Sequence, residues 1–145
     1  MIRDYDSVYA QLRSLLEGET DEVVKMAEIA AVVHETFGFW WTGFYRVVAG
    51  ELLLGPFQGP VACIHIPYGR GVCGTAWKRA EAVVVPDVEQ FPGHIACSSE
   101  SRSEIVVPVF GADGSVRAVF DIDSRDLAAF SDADATGLAR ILQLL

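Results

Sequence analysis

Basic residues are scarce in this sequence. Its 145 residues include 11 lysines and arginines against 20 aspartates and glutamates, a net charge of −9, with an isoelectric point near 4.6. A chain this acidic does not suit nucleic acid or an anionic membrane surface as a partner, because like charges repel. Long hydrophobic runs are missing too. The clean apolar stretches span only a few residues, far short of the ~20 that cross a bilayer. The opening MIRDYDSVYAQLRSLLEGE has no apolar core of signal-peptide type. A cytoplasmic protein is the expectation. Cysteine is both rare and odd in number, at three. Structural disulfides are uncommon in a reducing compartment, so the thiols are expected to be reduced at rest, with at least one of them working.

Several chemical signatures are absent. No Gly-x-Ser-x-Gly element marks a serine hydrolase. "GRGVCG" has the glycines of a phosphate loop without the following Lys-Ser/Thr, so it reads as a turn into a short helix. Cys63 and His65 stand two apart and could chelate, but no Cys-x-x-Cys pair or second ligand set accompanies them. No metal is expected. Repeats, linkers and low-complexity tracts are missing as well. What remains is a chain that is 51% hydrophobic, enough for one packed core. Residues 1–145 are therefore expected to form a single domain.

Periodicity supplies the elements. Residues 4–17 and 21–37 read as helices, the second capped by Thr20 or Asp21 and ended by Gly38. The period then changes. "FWWTGFYRV", "ELLLGPF" and "ACIHIP" read as strands, with Ala49-Gly50 as a hairpin signal. "GRGVCGTAWKR" is a glycine-bounded loop and short helix, and "AVVVP" another strand. Strands follow at 104–109 and 115–122 around an Asp113-Gly114 turn. Ser131 and Asp134 resemble a capping box for a last helix, 132–144. The order predicts an α+β fold, one antiparallel sheet covered by helices.

Strand alternation sorts side chains by face. Trp41, Gly43 and Tyr45 share one face; Trp40, Thr42 and Phe44 share the other. Ala62, Ile64 and Ile66 form an apolar face, opposite Cys63 and His65. Ala118, Phe120 and Ile122 oppose Val119, Asp121 and Asp123, and Glu104 begins its own strand. Acids that close strands are often solvated, which suits Asp123. Asp121 lies inside an apolar run, and a buried carboxylate needs a partner or a raised pKa. For Trp41 and Tyr45 the ordinary alternative is core packing, and for His65 a solvent-facing or hydrogen-bonded ring.

One stretch does not fit a plain structural domain. "FPGHIACSSESRSEIVVP", residues 91–108, puts Cys97 in a polar loop seven residues before Glu104. Taken with "GPFQGPVACIHIPYGRGVCGTAW" and "DIDS", it resembles the free methionine-(R)-sulfoxide reductases, small enzymes built on a single GAF domain. The likeness runs from about Trp40 to Ser124. Arg125-Asp126 depart from it where a proline is usual, as does Phe120 where an aliphatic residue is common.

The resemblance implies a GAF fold: one antiparallel sheet of about six strands, helices on one face and pocket-forming loops on the other. It implies that Cys97 is the nucleophile, Cys63 the main resolving thiol, and Cys73 a second thiol able to pair with the nucleophile. Glu104, Asp121 and Asp123 would meet the sulfoxide and the substrate's amino group, and Trp41 and Tyr45 would wall the methyl. The implied activity is thiol-dependent reduction of free L-methionine-(R)-sulfoxide through a sulfenic acid and a disulfide. Thioredoxin would be the reductant, no cofactor is required, and there is room for a homodimer.

Those residue types suit that chemistry. A thiolate is a strong nucleophile, a sulfenic acid condenses with a second thiol, and an external dithiol resets the pair by exchange. Clustered carboxyls cannot all ionise, so one can hold a proton to donate. Two other readings compete: a non-enzymatic GAF module that binds a small ligand or senses redox state, and a structural zinc protein. Thioredoxin-linked consumption of NADPH with the sulfoxide separates the first from the enzyme. The third lacks ligand pairs.

Overall fold

A computed structural model describes residues 2–95, 97 and 99–145. Ala96 and Ser98, which belong to the cysteine-bearing motif, lie outside the described residues, as does Met1. Helix α1 (Tyr5–Leu15) starts at Asp4, whose carboxylate accepts the Ser7 N–H at 3.0 Å. Helix α2 (Glu22–Phe37) is capped by Asp21 in the same way. Gly38 ends it in the left-handed region, at φ 69°, donating its N–H to His34 O.

Six strands follow: β1 (Trp41–Val48), β2 (Glu51–Gln58), β3 (His65–Pro67), β4 (Val83–Val85), β5 (Ser103–Phe110) and β6 (Val116–Ser124). Helix α3 (Gly71–Arg79) lies between β3 and β4, and α4 (Asp132–Leu142) closes the chain. The strands form one sheet in the order β3-β2-β1-β6-β5-β4, antiparallel at every pairing. Among the described residues no helix is long and apolar enough to cross a membrane.

The sheet has an apolar layer on each face. On one side Phe44, Ile105, Val107, Phe120 and Ile122 meet the inward stripes of α1, α2 and α4. Phe44 and Phe120 stack there with centroids 4.4 Å apart, so the unusual Phe120 fills the core. Truncating so buried a ring costs about 3–5 kcal/mol. The N-terminus is fixed to α4 by Asp134: its Oδ1 accepts from Tyr5 Oη at 2.6 Å and Arg3 Nη1 at 2.9 Å, while Oδ2 accepts the Ser131 N–H. On the other side Trp41, Tyr45, Val106 and Val119 meet Val72, Cys73 and Ala76 of α3. The expected division of helices and loops is thus modified, because α3 shares the loops' face.

Three further expectations need correction. "ACIHIP" is a strand only over His65–Pro67. Upstream of Ile64 the backbone leaves the ladder, so alternation fails there: Ile64 is exposed, and of its predicted apolar face only Ile66 is buried. Trp40 precedes β1 and packs with the α3 side, not with Phe44. The cysteines are not all reduced: Cys63 and Cys97 are joined in a disulfide, and Cys73 is free and buried.

Candidate active site

Strand register builds the site in rows on the α3 face. Trp41 pairs with Asp123, and Asp123 with Glu104. The next row is Gly43, Asp121 and Val106; the third is Tyr45, Val119 and Pro108. Directly paired residues present side chains on the same face. A run that looks apolar in sequence therefore delivers two aromatics and three carboxyl groups to one place. A cavity of about 560 Å³, counting the open water at its mouth, lies against these rows. Trp40, Trp41 and Tyr45 line it beside the carboxyl groups. Cys73 enters from α3, and His94, Cys97 and Ser101 enter from the 87–103 loop. Seven of the eight side chains singled out from sequence line this space; Cys63 reaches it through its bond to Cys97.

The carboxyl groups are not a solvated face. Glu104 and Asp121 are each 6% exposed. Burial holds Glu104 well above the usual carboxylate range, helped by the charges of Asp121 and Asp123. Burial raises Asp123 likewise, with Asp121 adding to it and the Ser101 hydroxyl pulling the other way. Asp121 is raised by burial, against the contacts it makes with Glu104, Cys73 and Asp123. The group must therefore hold protons at a pH where a free carboxyl has lost them. Asp121 Oδ1 is buried and has no hydrogen-bond partner among the described residues. An orphaned acceptor of this kind suits a ligand's donor.

The two kinds of thiol site differ. Cys73 is buried, and that burial, followed by the neighbouring acids, pushes its thiol well above the usual range. Cys97 is exposed at the edge of the cavity. The Cys73, Glu104 and Asp121 ligand atoms lie within 4.8 Å of one another, a donor set for a metal ion that the sequence did not suggest. The pair that it did suggest is not one. Cys63 is in the disulfide, and the exposed His65 sits 2.6 Å from Glu51 Oε1.

Sequence reasoning missed two polar neighbours. Ser101 Oγ donates to Asp123 Oδ1 at 3.0 Å. His94 Nε2 lies 3.8 Å from Glu104 Oε1, and burial lowers the His94 pKa, favouring the neutral ring. The available signal was proximity: His94 stands three residues before Cys97, in the same loop. For Ser101 no pattern distinguished it from the serines around it.

The GAF domain family model matches residues 20–145. The chain is 49% identical over 142 residues to GAF domain-containing protein A of Dictyostelium discoideum, covering 97% of this chain and 89% of that protein. It is 40% identical over 142 residues to the free methionine-R-sulfoxide reductase of Escherichia coli, with 97% and 86% covered. The crystal structure of free methionine-R-sulfoxide reductase from Neisseria meningitidis, in complex with its substrate, superposes with a TM-score of 0.94. That protein is 49% identical, and the match covers 99% of this chain and 89% of it.

Proposed function

The chain belongs to the GAF-domain family, and within it to the free methionine-(R)-sulfoxide reductases; from that premise we propose that it reduces free L-methionine-(R)-sulfoxide to L-methionine in this cavity. Cys97 attacks the sulfoxide sulfur as a thiolate, and oxygen passes to it with a proton. Methionine leaves, and Cys97 is left as a sulfenic acid. Cys63 condenses with it, forming the disulfide and releasing water. A thioredoxin-type dithiol then reduces the disulfide by exchange. Cys73, deeper in the cavity, is the second thiol able to pair with Cys97. Residues 1–145 act as one GAF domain.

The acids divide the remaining work. A protonated carboxyl among Glu104, Asp121 and Asp123 donates to the sulfoxide oxygen as charge develops there. An ionised one pairs with the substrate's ammonium. Trp41 and Tyr45 contact the methyl on sulfur, a contact worth about 1–3 kcal/mol in choosing the epimer.

The observation that supports this reading is Cys97 itself: exposed, lining a cavity of proton-holding carboxyls, and already bonded to Cys63. The test is NADPH consumption through thioredoxin and its reductase with the free sulfoxide. Cys97→Ser is expected to be inactive even with dithiothreitol. Cys63→Ser should release one methionine per site and lose most thioredoxin-dependent turnover. An active Cys97→Ser beside a dead Cys73→Ser would reverse the roles.

A further inference from the structure

Two cavity-wall aromatics also hold the loop that carries Cys63. Trp41 Nε1 donates to Pro60 O at 3.0 Å, and Tyr45 Oη donates to Cys63 O at 2.8 Å. The two residues are on one face of β1, with their rings stacked at a centroid distance of 6.0 Å. The loop, residues 59–64, has left the sheet ladder except where Leu54 N–H meets Ile64 O at 2.9 Å. It starts at Gly59, with φ 123°, where a Cβ would lie 2.8 Å from both Trp40 O and Trp41 Cδ1. The loop is thus pressed on Trp41 at its start and tied to Tyr45 at the reacting residue.

We propose that Tyr45 is a positioning residue for the resolving step: its hydroxyl, by holding the Cys63 carbonyl, keeps the Cys63 thiol within reach of oxidised Cys97. This rests on the function proposed above. In that step the Cys63 sulfur supplies an electron pair to the sulfenic sulfur of Cys97. The S–S bond forms, the S–O bond breaks, and the hydroxyl leaves as water with the Cys63 thiol proton.

Such a step needs its sulfurs about 3–3.5 Å apart and aligned. A loop without a ladder does not hold that geometry alone. A hydrogen bond at the residue's own carbonyl fixes the peptide beside the thiol and leaves mainly side-chain rotation to complete the approach. Burial keeps the Tyr45 hydroxyl protonated, so it is a standing donor. A bond that only satisfied the carbonyl would leave the rate of the resolving step unchanged, and that rate is what the experiment reads.

The experiment is a single turnover of fully reduced protein with one equivalent of free methionine-(R)-sulfoxide. Samples are quenched over time with dimedone, which captures sulfenic acid, and weighed as intact protein. In wild type the captured adduct should give way quickly to disulfide. Tyr45→Phe keeps the ring and removes the donor. It should slow conversion of sulfenic acid to disulfide about tenfold, the scale of one hydrogen bond, whatever it does to substrate binding. Trp41→Phe frees Pro60, farther from the thiol, and should slow conversion less. Wild-type conversion in a folded Tyr45→Phe overturns the proposal. If Tyr45→Phe does not fold, 4-fluorophenylalanine at position 45, which fills the hydroxyl's place without a donor, carries the test, and wild-type conversion there overturns the proposal. Failure of the underlying function looks different: wild type would release no methionine and yield no adduct.

Discussion

Glu104 on β5 and Asp123 on β6 are directly paired across the antiparallel ladder, so two carboxyl groups stand side by side on the face that lines the cavity. Like charges in that relation repel. With burial they hold protons above the ordinary carboxyl range. If one of those protons is delivered to the sulfoxide, activity should decline as pH rises through the raised carboxyl values. Neutralising Glu104, Asp121 or Asp123 should lower kcat/KM by about 10²-fold or more, the scale of a lost general acid or charged contact. Steady-state kinetics across pH, with Asp121→Asn, is the check. Near-normal activity in that variant would mean the acids are passive.

The same shifts bear on folding. A carboxyl whose pKa is raised in the folded protein binds its proton more tightly there than in the unfolded chain. Its contribution to stability is complete below the ordinary range near pH 4 and is lost as pH rises through the folded value. Asp134 slopes the other way. Burial opposes its ionisation, but Tyr5, Ser131 and Arg3 hold its pKa below normal, so its contribution is lost as pH falls. Glu104→Gln should therefore flatten the decline in melting temperature as pH rises above the ordinary carboxyl range, while leaving the acid limb in place. An unchanged slope would show that Glu104 is ionised in the folded protein.

Register carried most of what was legible. In β6 strict alternation separates Ala118, Phe120 and Ile122, which face the helices, from Asp121 and Asp123, which line the cavity. Asp21, Gly38 and Ser131 mark helix ends through short-range chemistry that any sequence displays. Residues 62–64 fall outside the expected strand because the backbone there is held by Tyr45 and by the bond from Cys63 to Cys97, with Trp41 holding Pro60 just before them. Those partners are distant in sequence, and local alternation cannot reveal them. Ser101 was invisible for the same reason, since its partner is on β6.

That serine offers a mild test of the carboxyl cluster. Its hydroxyl favours the ionised form of Asp123. Removing it in Ser101→Ala should raise the Asp123 pKa further. If Asp123 is the carboxylate that meets the substrate ammonium, KM should rise by about tenfold, the scale of one hydrogen bond to a charged group, with a smaller change in kcat. Ser101→Thr should restore it. A loss confined to kcat would instead point to Asp123 as the proton donor.

Selectivity for the free amino acid follows from enclosure and charge together. An enzyme that repairs proteins must admit peptide bonds on both sides of the sulfoxide. Here residues of α3 and of the 87–103 loop line the cavity, and in the proposed function one carboxylate pairs with the substrate's free ammonium. Acylating that nitrogen removes its charge and leaves the carboxylate buried without a partner. It also adds atoms to an enclosed space. Polar mismatch of this kind discriminates by about 10⁴-fold in favourable cases, far beyond what a methylene achieves. Turnover is therefore expected on free L-methionine-(R)-sulfoxide, with little on the S epimer and almost none on N-acetyl or peptide-bound sulfoxide. The measurement is kcat/KM for the free and N-acetylated R epimers under one reductant. Comparable values would mean that no carboxylate reads the ammonium, and the assignment of the acid cluster would fall with it.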